Sequence, residues 1–276
     1  YHFLFGKGMV SDDTEHACMT AQALMASAGE PEAFLRSLAW RLRGWLLGLP
    51  AGVGFATLRA ILKLWIGIPP TRSGVYSAGN GAAMRSAILG VCSGDNPARL
   101  RELVRASTRL THTDPKAELS ALAVAVAAHV SSVHAARPAD VPAYLAALLP
   151  LCEPCAPDAL PEFNRLLEQV ASAVTRAIST EAFAAELGLR RGVSGYIYHT
   201  LPVALHAWLT HPRDFREAVL AVIRCGGDTD TTAAIVGGIV GAGVGKAGIP
   251  QAWRDGLCEW PRSVAWMERL AARLDE

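Results

Sequence analysis

The sequence predicts an all-α protein that folds as one compact, multi-helix domain over residues 1–276. Alanine and leucine dominate, and runs of β-branched residues in strict alternation are scarce. Most windows repeat apolar residues at i, i+3 and i+4, which is the pattern of amphipathic helices. The chain is 51% hydrophobic and 18% charged, which supports a sizeable core and argues against disorder. No shift in composition and no repeat of about 20–50 residues divides the chain. A single domain of ten or so helices is therefore expected.

The first half of the chain contains five predicted helices, each bounded by Gly, Pro or capping residues. In order, they are 14–28 after an acidic cluster, 31–47 from Pro31 to a Gly-rich break, 55–65 before Pro69-Pro70, 81–91 after a Gly-rich loop, and 97–110 after Asn96. The acidic residues before the first helix suit the positive end of its dipole.

The second half begins with helix 117–136, which is almost wholly apolar and is therefore predicted to be buried. Residues 138–161 are the most proline-rich stretch and are expected to be broken and peripheral. The remaining predicted helices cover 163–178, 196–209, 215–224, 229–245 and 264–274. Five glycines fall within 229–245, and each weakens a helix by ~1 kcal/mol relative to Ala. Neighbouring helices are therefore expected to approach this backbone closely.

Charge and targeting signals limit the possible partners. The net charge of +1 provides no global field for nucleic acid or an anionic membrane, so neither is an expected stable partner. The small-apolar run 233–245 is too short and too Gly-rich to span a bilayer. No secretory signal is visible at the start. The lone pair Cys152 and Cys155 is interpreted as reduced thiols, and a cytoplasmic location is expected.

Two acidic clusters lie more than two hundred residues apart, and each runs directly into a predicted helix. They are Ser11-Asp12-Asp13-Thr14 and Gly226-Gly227-Asp228-Thr229-Asp230-Thr231. One interpretation is helix capping, for which a single Asp in each cluster would suffice. The alternative is a site for hard divalent cations, which prefer carboxylate and hydroxyl oxygens. Recurrence of the same pattern at two helix starts favours the metal site.

Three further features are candidates for ligand binding. The Gly79-Asn80-Gly81 loop could present backbone N–H groups to a phosphate, or be a simple turn. His112 could donate to a phosphate oxygen, or be a surface histidine before a helix. Tyr196 could stack on a flat ring, although aromatic side chains at this spacing are more often core.

Together, these segments resemble the ADP-ribosylglycohydrolase family. The matching landmarks, in the family's order, are the Ser11-Asp12-Asp13-Thr14 metal motif, residues 77–85 (SAGNGAAMR), Thr111-His112 with Pro115, residues 195–205 (GYIYHTLPVAL) and residues 226–231 (GGDTDT). Because these landmarks are correctly ordered and span nearly the whole chain, a chance match is hard to credit.

The resemblance implies an all-α fold with a binuclear site for two Mg²⁺ or Mn²⁺ ions. It implies hydrolysis of the N- or O-glycosidic bond between ADP-ribose and an acceptor, which is an ADP-ribosylated protein, nucleic acid or small molecule. ADP-ribose is the product. The implied metal shell is Ser11, Asp12, Asp13, Asp228, Asp230 and Thr231. The implied substrate contacts are Ser77, Gly79, Asn80, Gly81 and His112 around the diphosphate and Tyr196 beside the ribose or adenine.

Asp12 or Asp13 is then expected to hold or deprotonate the attacking water.

Three features of the sequence depart from the family pattern. Ser11 replaces a threonine and keeps the hydroxyl, and His199 stands where an acidic residue is common. Only ten residues precede Ser11, where relatives carry a Gly-rich helix and loop that can hold a catalytic glutamate. The alternatives are a catalytically weakened ADP-ribose-binding or immunity-type protein of the same fold, and a structural protein whose aspartates are caps.

Overall fold

The computed structural model describes residues 7–50, 52–134, 140–258 and 262–274. These residues form fourteen α-helices and three short 3-10 turns, without a β-strand. The helices are α1 Asp12–Ser27, α2 Pro31–Leu47, α3 Phe55–Trp65, α4 Ala87–Ser93, α5 Pro97–Arg109, α6 Pro115–Val133, α7 Val141–Cys152, α8 Leu160–Thr175, α9 Thr180–Glu186, α10 Ile197–Thr210, α11 Phe215–Arg224, α12 Thr229–Gly248, α13 Gln251–Asp255 and α14 Val264–Ala272. The all-α prediction is confirmed.

Helix α6 is the centre of the fold, as its apolar sequence predicts. It is buried along most of its length and packs against α4, α5, α7, α10 and α12. Its N-terminus is capped by Asp114, whose carboxylate accepts from the backbone N–H of Lys116 at 2.9 Å. By length and composition α6 could cross a membrane, but 78% of its apolar window is buried inside the protein, as in a core helix.

The expected close packing around the glycines of α12 holds at two positions. A Cβ on Gly243 would lie 2.6 Å from Ser131 Oγ, and one on Gly238 would lie 2.9 Å from Ala87 Cβ. Gly237 and Gly241 have only ordinary contacts with Phe215. Gly245 has no neighbour within 4 Å and has a φ of 61°, which marks a kink in the helix.

The prediction that residues 138–161 are broken and peripheral is wrong for residues 141–152, which form α7, whereas a turn and the 3-10 helix Pro157–Ala159 do interrupt the stretch after α7. Helix α7 begins after Asp140, which caps it by accepting from Ala143 N at 2.8 Å, and it buries Tyr144 and Leu148 against α6. Pro142 lies in the first turn, where a missing N–H costs nothing. Helices α9 and α13 were not predicted, and the predicted end of α6 at residue 136 lies outside the described residues.

Two further boundaries bear on the site. Helix α1 begins two residues before the predicted start, so that Asp12 and Asp13 lie in its first turn. The predicted helix 81–91 is instead a 3-10 turn, Ala83–Arg85, followed by α4.

Segments near the two ends of the chain lie side by side. Gly8 N donates to Gly256 O at 2.8 Å, and Cys258 N donates to Gly8 O at 2.9 Å. Glu15 on α1 forms an ion pair with Arg262 at 2.7 Å. Helix α1 also contacts both α12 and α14. The N-terminal acidic motif is therefore held next to the C-terminal part of the chain.

Backbone pairing draws the motif-bearing loops together. Val75 pairs with His112, Gly79 with Tyr196, and Val193 with Gly227, each as an isolated bridge. Such bridges satisfy backbone groups that would otherwise be buried without partners. The loops before α4, α6, α10 and α12 therefore meet at one end of the helical bundle.

Candidate active site

Nine of the predicted site residues line one cavity of about 320 Å³. They are Asp12, Ser77, Gly79, Asn80, Gly81, His112, Asp228, Asp230 and Thr231. The other predicted residues, Ser11, Asp13 and Tyr196, do not line it. The remaining walls come from the loop and first turn of α3, which include Gly54, Phe55 and Thr57, and from Met84 and Gly195. The α3 wall was not predicted, because no polar motif marks it in the sequence.

Asp12 is the carboxylate of the first motif that faces this cavity. Its pKa is raised to about 7, mainly because burial disfavours the charged form, and further because Asp13 and Asp230 carry like charges nearby. The structure thus brings the N-terminal and C-terminal aspartates within electrostatic range of one another. Such mutual repulsion is costly unless protons or cations compensate it.

Asp13 is 1% exposed and, unlike Asp12, does not line this cavity. Its carboxylate accepts a hydrogen bond from Ser11 Oγ through Oδ2, whereas Oδ1 is buried without a hydrogen-bond partner. Burial raises its pKa to about 6, although hydrogen bonds from Ser11 and Thr231 oppose the rise. Its side chain lines a second, mainly apolar cavity of about 450 Å³ between α1, α4 and α12.

Asp228 is held in place by the Gly-rich turn before α12. Gly227 has a φ of 81°, and a Cβ there would lie 2.0 Å from Val193 O, so only glycine fits. This close approach lets Asp228 N donate to Val193 O at 2.7 Å. Burial raises the pKa of the Asp228 carboxyl, and a hydrogen bond from Asn80 opposes the rise.

Asn80 connects the Gly-Asn-Gly loop to the second acidic motif. Its Nδ2 donates to Asp228 Oδ2 at 2.7 Å and to Thr200 Oγ1 at 3.1 Å. Its backbone N donates to Gly195 O at 3.0 Å. Asn80 therefore orients an aspartate, and because it also lines the cavity, the substrate contact predicted for it stays a prediction. Thr200 was not singled out from the sequence, although it lies in the landmark at residues 195–205.

His112 is 2% exposed and lies against the Gly-Asn-Gly loop. A Cβ on Gly79 would be 3.2 Å from His112 Nε2, and a Cβ on Gly81 would be 3.1 Å from Cε1. Glycine at both positions leaves this edge of the imidazole uncovered. The pKa of His112 is lowered to about 3, first by burial and then by the charge of Arg85. The ring is therefore neutral at physiological pH.

Tyr196 contacts the Gly-Asn-Gly loop through its backbone, which forms a bridge with Gly79. Its hydroxyl accepts from Lys116 Nζ at 3.0 Å, and its ring lies edge-on to His199 at 5.1 Å. Tyr196 does not line the acidic cavity. A contact between this ring and the ribose or adenine stays a prediction.

The donor chemistry of the site fits a hard divalent cation. Carboxylate and hydroxyl oxygens line one cavity, and among the described residues Asp13 Oδ1 has no hydrogen-bond partner. Among the described residues, no group of three or more His, Cys, Asp and Glu side chains could hold a metal ion as they stand. Binding would therefore require rotation of the carboxylates or help from the hydroxyls of Ser11 and Thr231.

The fold and the cavity define a class of protein: an all-helical protein in which an acidic cluster faces a Gly-Asn-Gly loop. The chain belongs to the ADP-ribosylglycohydrolase family, whose model matches residues 1–276. The predicted resemblance is confirmed. Family membership supports hydrolysis of ADP-ribose linkages in general.

Three proteins are similar to this chain in sequence. An uncharacterised protein of Archaeoglobus fulgidus is 30% identical over 98% of this chain and 81% of its own length. The ADP-ribosyl-[dinitrogen reductase] glycohydrolase of Rhodospirillum rubrum is 27% identical over 89% of this chain and 72% of its own. The ADP-ribosylarginine hydrolase Tri1 of Serratia proteamaculans is 38% identical over 28% of this chain and 21% of its own.

A solved structure has the same fold. An ADP-ribosylglycohydrolase-related protein complex superimposes with a TM-score of 0.62 and 26% sequence identity. The match covers 96% of this chain and 79% of the other.

Proposed function

We propose that this protein is a metal-dependent hydrolase that releases ADP-ribose from an ADP-ribosylated acceptor. One observation carries the proposal. In a chain of this family, one cavity is lined by Asp12, Asp228 and Asp230 together with Ser77 and His112. A sugar with its reacting carbon near the carboxylates could keep its diphosphate near the hydroxyl, the imidazole and the glycine backbone.

Two Mg²⁺ or Mn²⁺ ions would be held by Ser11, Asp12, Asp13, Asp228, Asp230 and Thr231. Bound there, they would supply positive charge for the ribose hydroxyls and lower the pKa of a coordinated water. Asn80 supports this set by fixing the Asp228 carboxylate through its 2.7 Å hydrogen bond.

Asp12 is the better candidate for the residue that holds or deprotonates the attacking water. It lines the cavity, whereas Asp13 is buried behind it. A carboxylate there could accept a proton from water as the water oxygen bonds to C1 of the ribose and the bond from C1 to the acceptor atom breaks; the departing acceptor would then take up a proton. Negative charge around the sugar also favours the oxocarbenium-like transition state of glycosidic cleavage.

The acceptor is proposed to be a protein side chain, with modified arginine as the first candidate. The Serratia relative is named as an ADP-ribosylarginine hydrolase, which points to an N-glycosidic bond. ADP-ribosylated serine, nucleic acid and small molecules are the other acceptors to be tested.

The test is release of ADP-ribose from modified arginine, serine and nucleic-acid substrates, with Mg²⁺ or Mn²⁺ and with EDTA. We expect turnover on at least one substrate, lost in EDTA and restored by excess metal. Absence of turnover on all of them with metal present would defeat the proposal. If calorimetry then showed ADP-ribose binding without hydrolysis, the chain would be a binding protein of the same fold.

A further inference from the structure

Arg85 is fully buried beneath the Gly-Asn-Gly loop, and all five of its N–H groups have neutral acceptors. Nε donates to Ser107 Oγ at 3.0 Å, and Nη2 donates to Ser107 O at 2.7 Å and to Thr111 Oγ1 at 2.8 Å. Nη1 donates to Gly81 O at 3.0 Å and lies 3.3 Å from His16 Nδ1. The guanidinium is therefore fixed in position without forming an ion pair with any of these partners.

The direction of the next hydrogen bond follows from this arrangement. A guanidinium can only donate, so Thr111 Oγ1 must accept from Arg85. The hydroxyl proton of Thr111 then has two possible acceptors, His112 Nδ1 at 2.8 Å and Thr108 O at 3.5 Å. The shorter contact is the stronger hydrogen bond. Because a hydroxyl oxygen has two lone pairs, the alternative is that Oγ1 also accepts from His112 Nδ1 and donates to Thr108 O. The 2.8 Å contact favours donation to His112 over the 3.5 Å contact with Thr108, and Thr111 is assigned as the donor to His112 Nδ1 on that ground.

This assignment determines which nitrogen of His112 carries the proton. A neutral imidazole has one donor and one acceptor nitrogen, so an accepting Nδ1 leaves the proton on Nε2. Burial and the nearby Arg85 lower the pKa of His112 to about 3, which keeps the ring neutral. The opposite tautomer would turn a lone pair on Nε2 toward any anion in the cavity.

The Nε2 edge of the ring lies beside the Gly-Asn-Gly loop, and His112, Gly79 and Gly81 all line the cavity where an anion is expected. Gly79 and Gly81 flank this edge, and a side chain at either position would crowd the imidazole. Ser77 lines the same cavity and accepts from Gly79 N at 3.3 Å. The uncovered Nε2–H is thus directed toward the space beside this loop.

We propose that Arg85 and Thr111 are positioning residues that hold His112 as a neutral Nε2–H donor for an anionic diphosphate oxygen of the bound sugar nucleotide. The ligand part of this proposal rests on the proposed function. The tautomer part does not, because the hydrogen bonds that carry it lie within the protein. Arg85 also fixes the Gly81 carbonyl, so one side chain orients both the imidazole and the loop beside it.

The first experiment measures the tautomer in the ligand-free protein. Histidine is labelled with ¹⁵N, and two-bond ¹H–¹⁵N correlation spectra distinguish an Nε2–H ring from an Nδ1–H ring. The chain has eight histidines, and the His112 signals are assigned by their loss in His112→Gln. We expect the Nε2–H pattern in the wild type, with no change between pH 5.5 and 8. An Nδ1–H pattern, or a cationic ring, would overturn the proposal whatever the activity of the protein.

The second experiment removes the hydroxyl. Thr111→Val keeps the shape of the side chain, and we expect it to shift His112 toward the Nδ1–H form and weaken ADP-ribose binding by roughly tenfold. Thr111→Ser should restore both the spectrum and the affinity. Thr108→Val is the matched control, because Thr108 is equally buried but its hydroxyl has no partner. We expect wild-type behaviour from it.

The outcomes separate the two proposals. Should the wild type fail to bind ADP-ribose, the proposed function fails, while the imidazole spectrum still decides the tautomer. Should Thr111→Val bind ADP-ribose as tightly as the wild type, or Thr111→Ser fail to rescue it, the positioning role is wrong even if hydrolysis is established. Should Thr111→Val fail to fold, Thr111→Ser and the wild-type spectrum remain decisive.

Discussion

At the scale of single residues, the acidic cluster combines like charges with burial. Asp12 and Asp13 both have raised pKa values, and desolvation is the largest cause for each. Removing a charge from such a cluster should stabilise the metal-free protein while weakening cation binding. These two effects have opposite signs, which makes them separable by experiment.

Asp230→Asn is the substitution that isolates the effect on metal binding. It keeps the shape of a side chain lining the cavity and removes a charge that raises the pKa of both Asp12 and Asp13. We expect Mg²⁺-dependent ADP-ribose release to fall by more than about 100-fold, and Tm in EDTA to rise. Asp95→Asn is the control, because that side chain is 97% exposed. Undiminished Mg²⁺-dependent turnover in Asp230→Asn would contradict the assigned ligand set.

The raised pKa values also predict how metal binding depends on pH. A carboxyl whose folded pKa is raised stabilises the metal-free fold at low pH, and this contribution is lost as pH rises from near 4 to about 7 for Asp12. Cations compete with these protons, so the gain in Tm on adding Mg²⁺ should be larger at pH 8 than at pH 5.5. Thermal unfolding with Mg²⁺ and with EDTA at both pH values measures this gain. A gain that is equal or larger at pH 5.5 would be inconsistent with these carboxylates as ligands.

The acidic residues could be found from the sequence, whereas their supporting residues could not. Carboxylates next to hydroxyls and glycines form local patterns that are visible within six residues. Arg85 lies in the landmark at residues 77–85, but its supporting role has no such local signal, since its partners Ser107 and Thr111 lie 22 and 26 positions away. That Asp12 and Asp13 line different cavities also depends on the neighbouring helices, which adjacent sequence positions do not reveal.

At the scale of helices, the periodicity of apolar residues predicted the long helices, whereas the proline content of residues 138–161 led us to miss helix α7. Helix α7 contains Pro142 and Pro150, yet it forms because Asp140 caps it and Tyr144 packs into the core. Tertiary burial therefore overrides an unfavourable local composition. The short helices α9 and α13 are too brief for an apolar period to show in the sequence.

Glycines in the helices provide a matched test of close packing. A Cβ on Gly90 of α4 would lie 1.8 Å from Ala125 O of α6, so Gly90→Ala must separate the two helices. We expect a loss of about 1–3 kcal/mol or more in the free energy of unfolding. Gly44→Ala on the exposed face of α2 meets nothing within 4 Å, and should gain about 0.5–1 kcal/mol from helix propensity. Urea unfolding of both variants measures these changes, and equal effects would show that the α4–α6 contact is not tight.

At the scale of the whole molecule, the fold joins the two ends of the chain at the site. Hydrogen bonds between Gly8 and the segment containing Gly256 and Cys258 accompany the ion pair between Glu15 and Arg262. The predicted metal ligands lie at the N-terminal ends of α1 and α12, and these two helices contact each other. A cation shared by the first turns of both helices would oppose local opening of either one.

This arrangement predicts coupled protection in hydrogen exchange. Adding Mg²⁺ should slow exchange together in residues 12–20 and 228–236, because either turn must release the shared cation before it can open. Exchange in α8, which contributes nothing to the acidic cavity, should be unchanged and serves as the internal control. Asp230→Asn should abolish the protection at both turns, including the one on α1 where no residue is altered. Protection confined to one of the two turns would mean that the cation is bound by one motif alone, and that the binuclear site shared between them does not form.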